Sequence, residues 1–313
     1  FKKAKIIMWY IEQPSEDTLN WFKNLFLDPI SDSINSSDLS IYVKNILNKD
    51  AIKRLMLTSA ETLYSYNEYL ETELDKLGEW NNNKSKLLQL FDYENRISKN
   101  KNNSYELSKR IGRNTCVYCN RIYTHTVTEI ATGRKIIRPD FDHWLSKAEH
   151  PLLSMSIYNL IPSCPICNRG IKLQRHFQLT KHIHPYLSAP ETSFKFQYVP
   201  LPNAEWDVKI TNYTEKEFET AKILETEQVY KCHGNLEVKD IVEFAYKNSP
   251  QYLNDLYSHV LQAYCGKITA KEAYRVIMGA ENEPSRFLDR PLAKLKRDIL
   301  LQIKESLCLD IEI

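Results

Sequence analysis

Apolar positions in the first 110 residues recur three or four apart. Ile52, Leu55, Met56, Leu63, Leu70, Leu74 and Leu77 follow such a stripe, and Gly78 stands where a helix would stop. The same spacing predicts a helix over 84–97, and the polar run SKNKNNS at 98–104 reads as a linker. The period then changes. IYTHTVTEI and RKIIRPDFD flank ATG, which predicts a β-hairpin with Gly133 in the turn. Within 190–213, SFKFQYVPL and EWDVKITNY are rich in aromatic and β-branched residues and predict more strand. Helical spacing returns from about 237. Thr269 and Glu272 fit a capping box, and Pro291 can open a last helix with Leu292, Leu295, Ile299, Leu300, Ile303 and Leu307 on one face.

These elements predict an α+β protein in four regions: a helical 1–110, a mixed 111–185, a β-rich 186–230 and a helical 231–313. At 313 residues the chain can bury a sizeable core, and 42% hydrophobic with 26% charged residues excludes a disordered class. Only 7 glycines occur, with no GxGxxG and no GxxxxGK[ST], which argues against dinucleotide-binding and P-loop designs. No apolar run approaches membrane-spanning length, and the opening FKKAKIIMWY is too short for a signal peptide.

Charge is uneven along the chain. Positions 96–181 hold 15 Lys/Arg against 5 Asp/Glu, while the whole chain carries only +2. A basic centre in an acidic frame suits a polyanionic partner; the alternative is a mixed, solvated surface.

Four of the seven cysteines form two pairs, Cys116-Val-Tyr-Cys119 and Cys164-Pro-Ile-Cys167; Cys232, Cys265 and Cys308 are scattered. The odd count fits a secreted disulfide framework poorly and a reducing cytoplasm well. A two-residue gap lets both thiolates of a pair face one tetrahedral ion, and four thiolates close its shell. The reading is therefore a structural Zn²⁺, with buried free cysteines or a redox pair as the alternative. The 44 residues between the pairs exceed ordinary finger spacing, and they carry the hairpin and Asp142-His143. Adjacent strand residues face opposite ways, so one of the two can reach a metal while the other faces a reacting group.

The order C-x-x-C, D-H, N, C-x-x-C-N, over about residues 113–185, resembles the HNH (ββα-metal) endonuclease family. Asn168 follows Asn159 by nine positions, similar to the HNH domains of RNA-guided nucleases. The resemblance implies that His143 is the general base. It implies that Asp142 and Asn168 hold a catalytic Mg²⁺ or Mn²⁺, and that Asn159 orients the loop and the histidine. Hard oxygen ligands suit such an ion, whereas the thiolates suit zinc. Two departures stand out: Asn168 replaces the last histidine, and EHPLLSMSIY is longer and more apolar than the usual loop.

Lys147, Arg169, Lys172 and Arg175 lie where phosphate would pass, the last three on one helix face; ordinary solvated charge is the alternative. Tyr118, Tyr123 and Trp144 either stack on bases or pack in the core. His150 reads as a hydrogen-bonding loop residue, with a substrate contact as the alternative. His184, in HIHPY, is either a ligand or phosphate contact or a packed side chain, and His176 and His182 have no assigned role. HIHPY and the final RPLAKLKRDILLQI are similar to segments of HNH proteins from bacterial anti-phage systems, which implies a partner ATPase that gates cutting. The expectation is a cytoplasmic, divalent-metal-dependent DNA endonuclease. RNA, tRNA included, is the alternative substrate, and a catalytically silent zinc-held nucleic-acid- or protein-binding subunit is the alternative class.

Overall fold

The computed structural model describes residues 8–173, 175–187, 194–263 and 269–307. Cys265 and Cys308 lie outside them. Among the described residues six α-helices come first: α1 (Glu16–Ser36), α2 (Ile41–Ile46), α3 (Lys49–Leu57), α4 (Ala60–Lys76), α5 (Trp80–Phe91) and α6 (Lys101–Ile111). Ser15 starts α1 by accepting the Thr18 N–H at 3.2 Å, and Phe22, Phe26, Ile30 and Ile34 form its buried stripe. Ile52, Leu55, Met56, Leu63, Leu70 and Leu74 are buried as the spacing predicts, and Gly78 takes φ 68° beyond α4. Leu77 lies past the helix end and is exposed.

Two expectations fail here for local reasons. The helix over 84–97 is α5, which starts earlier and stops at Asp92 in a left-handed conformation; a short π-helical segment, Glu94–Ser98, follows. The run at 98–104 is not a linker. Asn100 caps α6 by accepting the Asn103 N–H at 3.1 Å, so an Asn-rich stretch that reads as a turn is a helix start.

The expected hairpin exists but is short. β1 (Val127–Thr128) pairs antiparallel with β2 (Lys135–Ile137), and Gly133 has φ 69° between them. It does not continue into Asp142-His143. After Pro139 the chain enters a separate strand, β3 (Asp140–His143), antiparallel to β4 (Leu160–Ser163), with Asp142 opposite Ile161 and His143 opposite Leu160. Burial separates the two sheets: Ile136 and Ile137 are exposed, whereas Phe141, Asp142 and His143 are buried and pair inside the core.

Downstream, β5 (Lys195–Leu201) and β6 (Glu205–Thr211) form the predicted third antiparallel pair. Strand ends there, and α7 (Glu215–Ile223) and α8 (Thr226–Lys231) occupy the rest of the region expected to be β-rich. The helices α9 (Lys239–Lys247), α10 (Pro250–Ala263), α11 (Ala270–Met278) and α12 (Ala293–Leu307) follow among the described residues. Thr269 and Glu272 make the reciprocal capping box.

The described residues are a mixture of helix and small sheets dominated by helix, 59% against 10% strand. One buried apolar cluster runs from Met8 to Ile303. Within it α3 and α5 pack on the short 3₁₀ turns Pro151–Leu153 and Ile157–Asn159, and α12 packs on β5. The amino-terminal helices thus brace the loop between β3 and β4. Among the described residues, no helix is long and apolar enough to cross a membrane.

Candidate functional site

The four paired cysteines come together. Their sulfurs all lie within 4.8 Å of one another and all four residues are buried. Each pair closes a matching turn: Asn120 N–H donates to Cys116 O at 2.9 Å, and Asn168 N–H donates to Cys164 O at 3.0 Å. Backbone N–H groups also point at sulfur, from Cys164 to Cys116 Sγ at 3.2 Å and from Cys167 to Cys164 Sγ at 3.4 Å. Burial pushes the Cys116 thiol pKa up. A buried cluster of thiolates would need a cation to hold its charge, and four soft sulfur donors this close together fit zinc.

The cluster sits at the base of β3 and β4. Val117 N–H donates to Pro162 O at 3.4 Å, tying the first cysteine turn to β4. The second pair opens a π-helical segment, Ile166–Lys172, which packs on β3 and stops where Leu173 takes φ 34°. Arg175 lies beyond that stop, bonded to Glu225 at 2.8 Å, so Arg169, Lys172 and Arg175 do not share a helix face.

Asp142 is buried and doubly held. Tyr118 Oη donates to its Oδ2 at 2.5 Å, and Lys172 Nζ donates to the same oxygen at 2.6 Å. Lys172 also donates to His143 O. The lysine is therefore a buried partner of the carboxylate, not a solvated phosphate contact on an open helix. Burial pushes the Asp142 carboxyl pKa up and the Lys172 ammonium pKa down, while each charge supports the other. Burial also raises the Tyr118 phenol, so its proton stays in place as a donor.

His143 Nε2 lies 3.0 Å from Ser154 O. A carbonyl only accepts, so the proton is on Nε2 and Nδ1 keeps its lone pair. The ring stands edge-on to Tyr93 with centroids 4.4 Å apart, and burial pushes the imidazolium pKa down to about 3. Asn159 is fully buried and staples the loop. Its Oδ1 accepts Leu145 N–H at 2.8 Å, while its Nδ2 donates to Leu145 O at 3.0 Å and Leu153 O at 3.2 Å. Its own carbonyl accepts Trp144 N–H at 2.9 Å, beside His143.

Asp142, His143, Asn168, Lys147, Arg169, Lys172 and Arg175 line one open cleft of about 750 Å³. Arg169 reaches Asp140 through two bonds of 2.9 and 3.0 Å, and Asn168 Nδ2 donates to Asp140 at 3.4 Å. Asp140 was not singled out from sequence. It stands two residues before Asp142 on β3, and period-two alternation places both on one strand face. Lys147 lies 3.7 Å from Glu94 at the cleft wall.

Tyr118 and Trp144 are buried, and Tyr123 is exposed. His150 bonds Glu71 at 2.9 Å, and His176 pairs with Glu149 at 3.2 Å on the cleft wall. His182 Nδ1 accepts the Gln178 N–H at 2.8 Å. His184 is a packed residue: its Nε2 is 2.5 Å from Tyr64 Oη, and Trp144 stands edge-on to its ring.

No known protein family, curated protein or solved structure matches the chain.

Proposed function

We propose that this protein is an HNH-type endonuclease that hydrolyses phosphodiester bonds in DNA with a divalent ion. The observation that carries the reading is a single cleft lined by a neutral histidine with a free Nδ1, a carboxylate and an amide, and bordered by cations. In this reading the ββα unit is β3, β4 and the segment that follows the second cysteine pair.

Asp142 and Asn168 would hold Mg²⁺ or Mn²⁺. Both bonds to the Asp142 carboxylate fall on Oδ2, so Oδ1 is the oxygen left for a cation. Two hard oxygen donors suit such an ion, which when bound polarises the scissile phosphate and stabilises the leaving oxygen. His143 Nδ1 takes the proton from the attacking water. The Ser154 carbonyl fixes the histidine tautomer. A base poised near the working pH contributes about 10²–10⁴-fold, and burial, which holds His143 down to about 3, makes it a weaker base than that. Asn159 holds the backbone beside His143. Lys147 and Arg169 steer the phosphate chain without reading sequence. Gating by an ATPase partner in a defence setting belongs to the same proposal and rests on the sequence resemblance.

One observation favours a second reading, a silent zinc-held binding subunit: Lys172 already occupies Asp142. Supercoiled-plasmid cleavage with Mg²⁺ or Mn²⁺ separates the two, with RNA digested in parallel. The endonuclease reading expects cutting by the wild type and none by His143→Ala, with zinc retained in both. Equal cutting by both chains would remove His143 from the mechanism.

A further inference from the structure

Both cysteine pairs send a donor to the same carboxylate oxygen. Tyr118 lies between Cys116 and Cys119, and its hydroxyl reaches Asp142 Oδ2 at 2.5 Å. Lys172 ends the segment opened by the second pair and reaches that oxygen at 2.6 Å. Tyr118 is 2% exposed and anchored elsewhere as well. Trp9 Nε1 donates to its carbonyl at 3.0 Å, and its ring packs against Phe177. Its backbone has the conformation of the cysteine turn, so the hydroxyl stands where the turn puts it. A carboxylate clamped on Oδ2 cannot swing freely, and Oδ1 is presented in a fixed direction.

We propose that occupancy of the four-cysteine cluster sets the affinity of Asp142 for its divalent ion, with Tyr118 as the positioning residue that transmits it. This rests on the reading of Asp142 as a ligand of the catalytic ion. Loss of a group that orients a ligand weakens metal binding about 10–100-fold. Linkage makes the effect reciprocal: the divalent ion tightens zinc by the same factor.

The test is Mn²⁺ binding by electron paramagnetic resonance on the zinc-loaded full chain. Wild type, Tyr118→Phe, Asp142→Asn and the double variant are compared, with zinc content measured in each. Tyr118→Phe is expected to keep its zinc and bind Mn²⁺ about 10-fold more weakly. The double variant is expected to bind no more weakly than Asp142→Asn, because Tyr118 acts through Asp142; a merely structural loss would add instead. Wild-type affinity in Tyr118→Phe, or an additive double variant, overturns the inference while Asp142 stands as a ligand. Mn²⁺ binding indifferent to Asp142→Asn overturns the ligand assignment and the inference together. A second measurement needs no Tyr118 variant: zinc transfer from the wild type to a zinc-selective chelator, with and without Mn²⁺. Mn²⁺ is expected to tighten zinc about 10-fold in the wild type and not in Asp142→Asn; no change in the wild type overturns the inference.

Discussion

Lys172 Nζ lies 2.6 Å from Asp142 Oδ2, and both side chains are more than nine-tenths buried. Neither charge is comfortable alone, since burial drives both groups toward their neutral forms. Lys172→Met removes one partner and leaves the carboxylate stranded. The expected cost is about 3–5 kcal/mol in urea unfolding, with part of it recovered when Asp142→Asn is added. A loss below about 1 kcal/mol would mean that water reaches the pair.

Asn159 makes three side-chain hydrogen bonds across the β3–β4 loop while fully buried. Asn159→Ala strands the Leu145 N–H and carbonyl, while the Leu153 carbonyl keeps the Ser156 N–H at 3.1 Å. Each orphaned group costs about 1–3 kcal/mol if water cannot replace the amide. The loop carries the Ser154 carbonyl that fixes His143, so on the proposed endonuclease reading cleavage should fall about 10²-fold. Thermal melts and single-turnover cleavage read the two effects separately. Wild-type cleavage in a destabilised protein would confine Asn159 to folding.

The cysteine cluster joins the turn at 116–120 to the turn at 164–168, and the first turn bonds β4 through Val117 N–H and Pro162 O. Cys164→Ser removes one ligand and the sulfur that accepts the Cys167 N–H. The expected result is loss of the zinc equivalent and protease sensitivity within 113–187, while α1–α5 stay protected. Zinc analysis and mapped proteolysis check it. Retained zinc with unchanged protection would show that three thiolates suffice.

Much of this was legible in the sequence because it is local. The C-x-x-C gaps dictate which sulfurs face one ion, and Thr269 with Glu272 dictates a helix start. The strand partner of Asp142 was not legible. β3 pairs across a long loop with β4, and the nearer hairpin at Gly133 offered a competing partner. Local propensity does not choose between them; burial of Phe141, Ile161 and Leu160 does. Lys172 misled for the same reason. On paper it is a helical cation, and only the docking of its segment on β3 takes it out of water. Asp140 could have been found by applying period-two alternation to the two aspartates of β3.

His184 and His143 are both buried, and burial pushes each imidazolium pKa down to about 3. In the unfolded chain a histidine titrates near ~6.5. Between those values the unfolded state carries a proton that the folded state refuses, so acid favours unfolding. Stability from these two groups is complete above about pH 6.5 and falls as pH drops toward 3. The slope is about 1.4 kcal/mol per pH unit for each histidine once pH is well below ~6.5. His184→Phe keeps an aromatic ring against Trp144 and gives up the Tyr64 contact. That variant is expected to lose stability at pH 8 yet show a flatter decline from pH 6.5 to 4, with His143 and, in the same direction, His182 contributing to the decline that remains. Urea unfolding across that range measures both slopes. Equal slopes in the two proteins would mean that His184 accepts a proton without unfolding, and that its burial with Tyr64 gives way first.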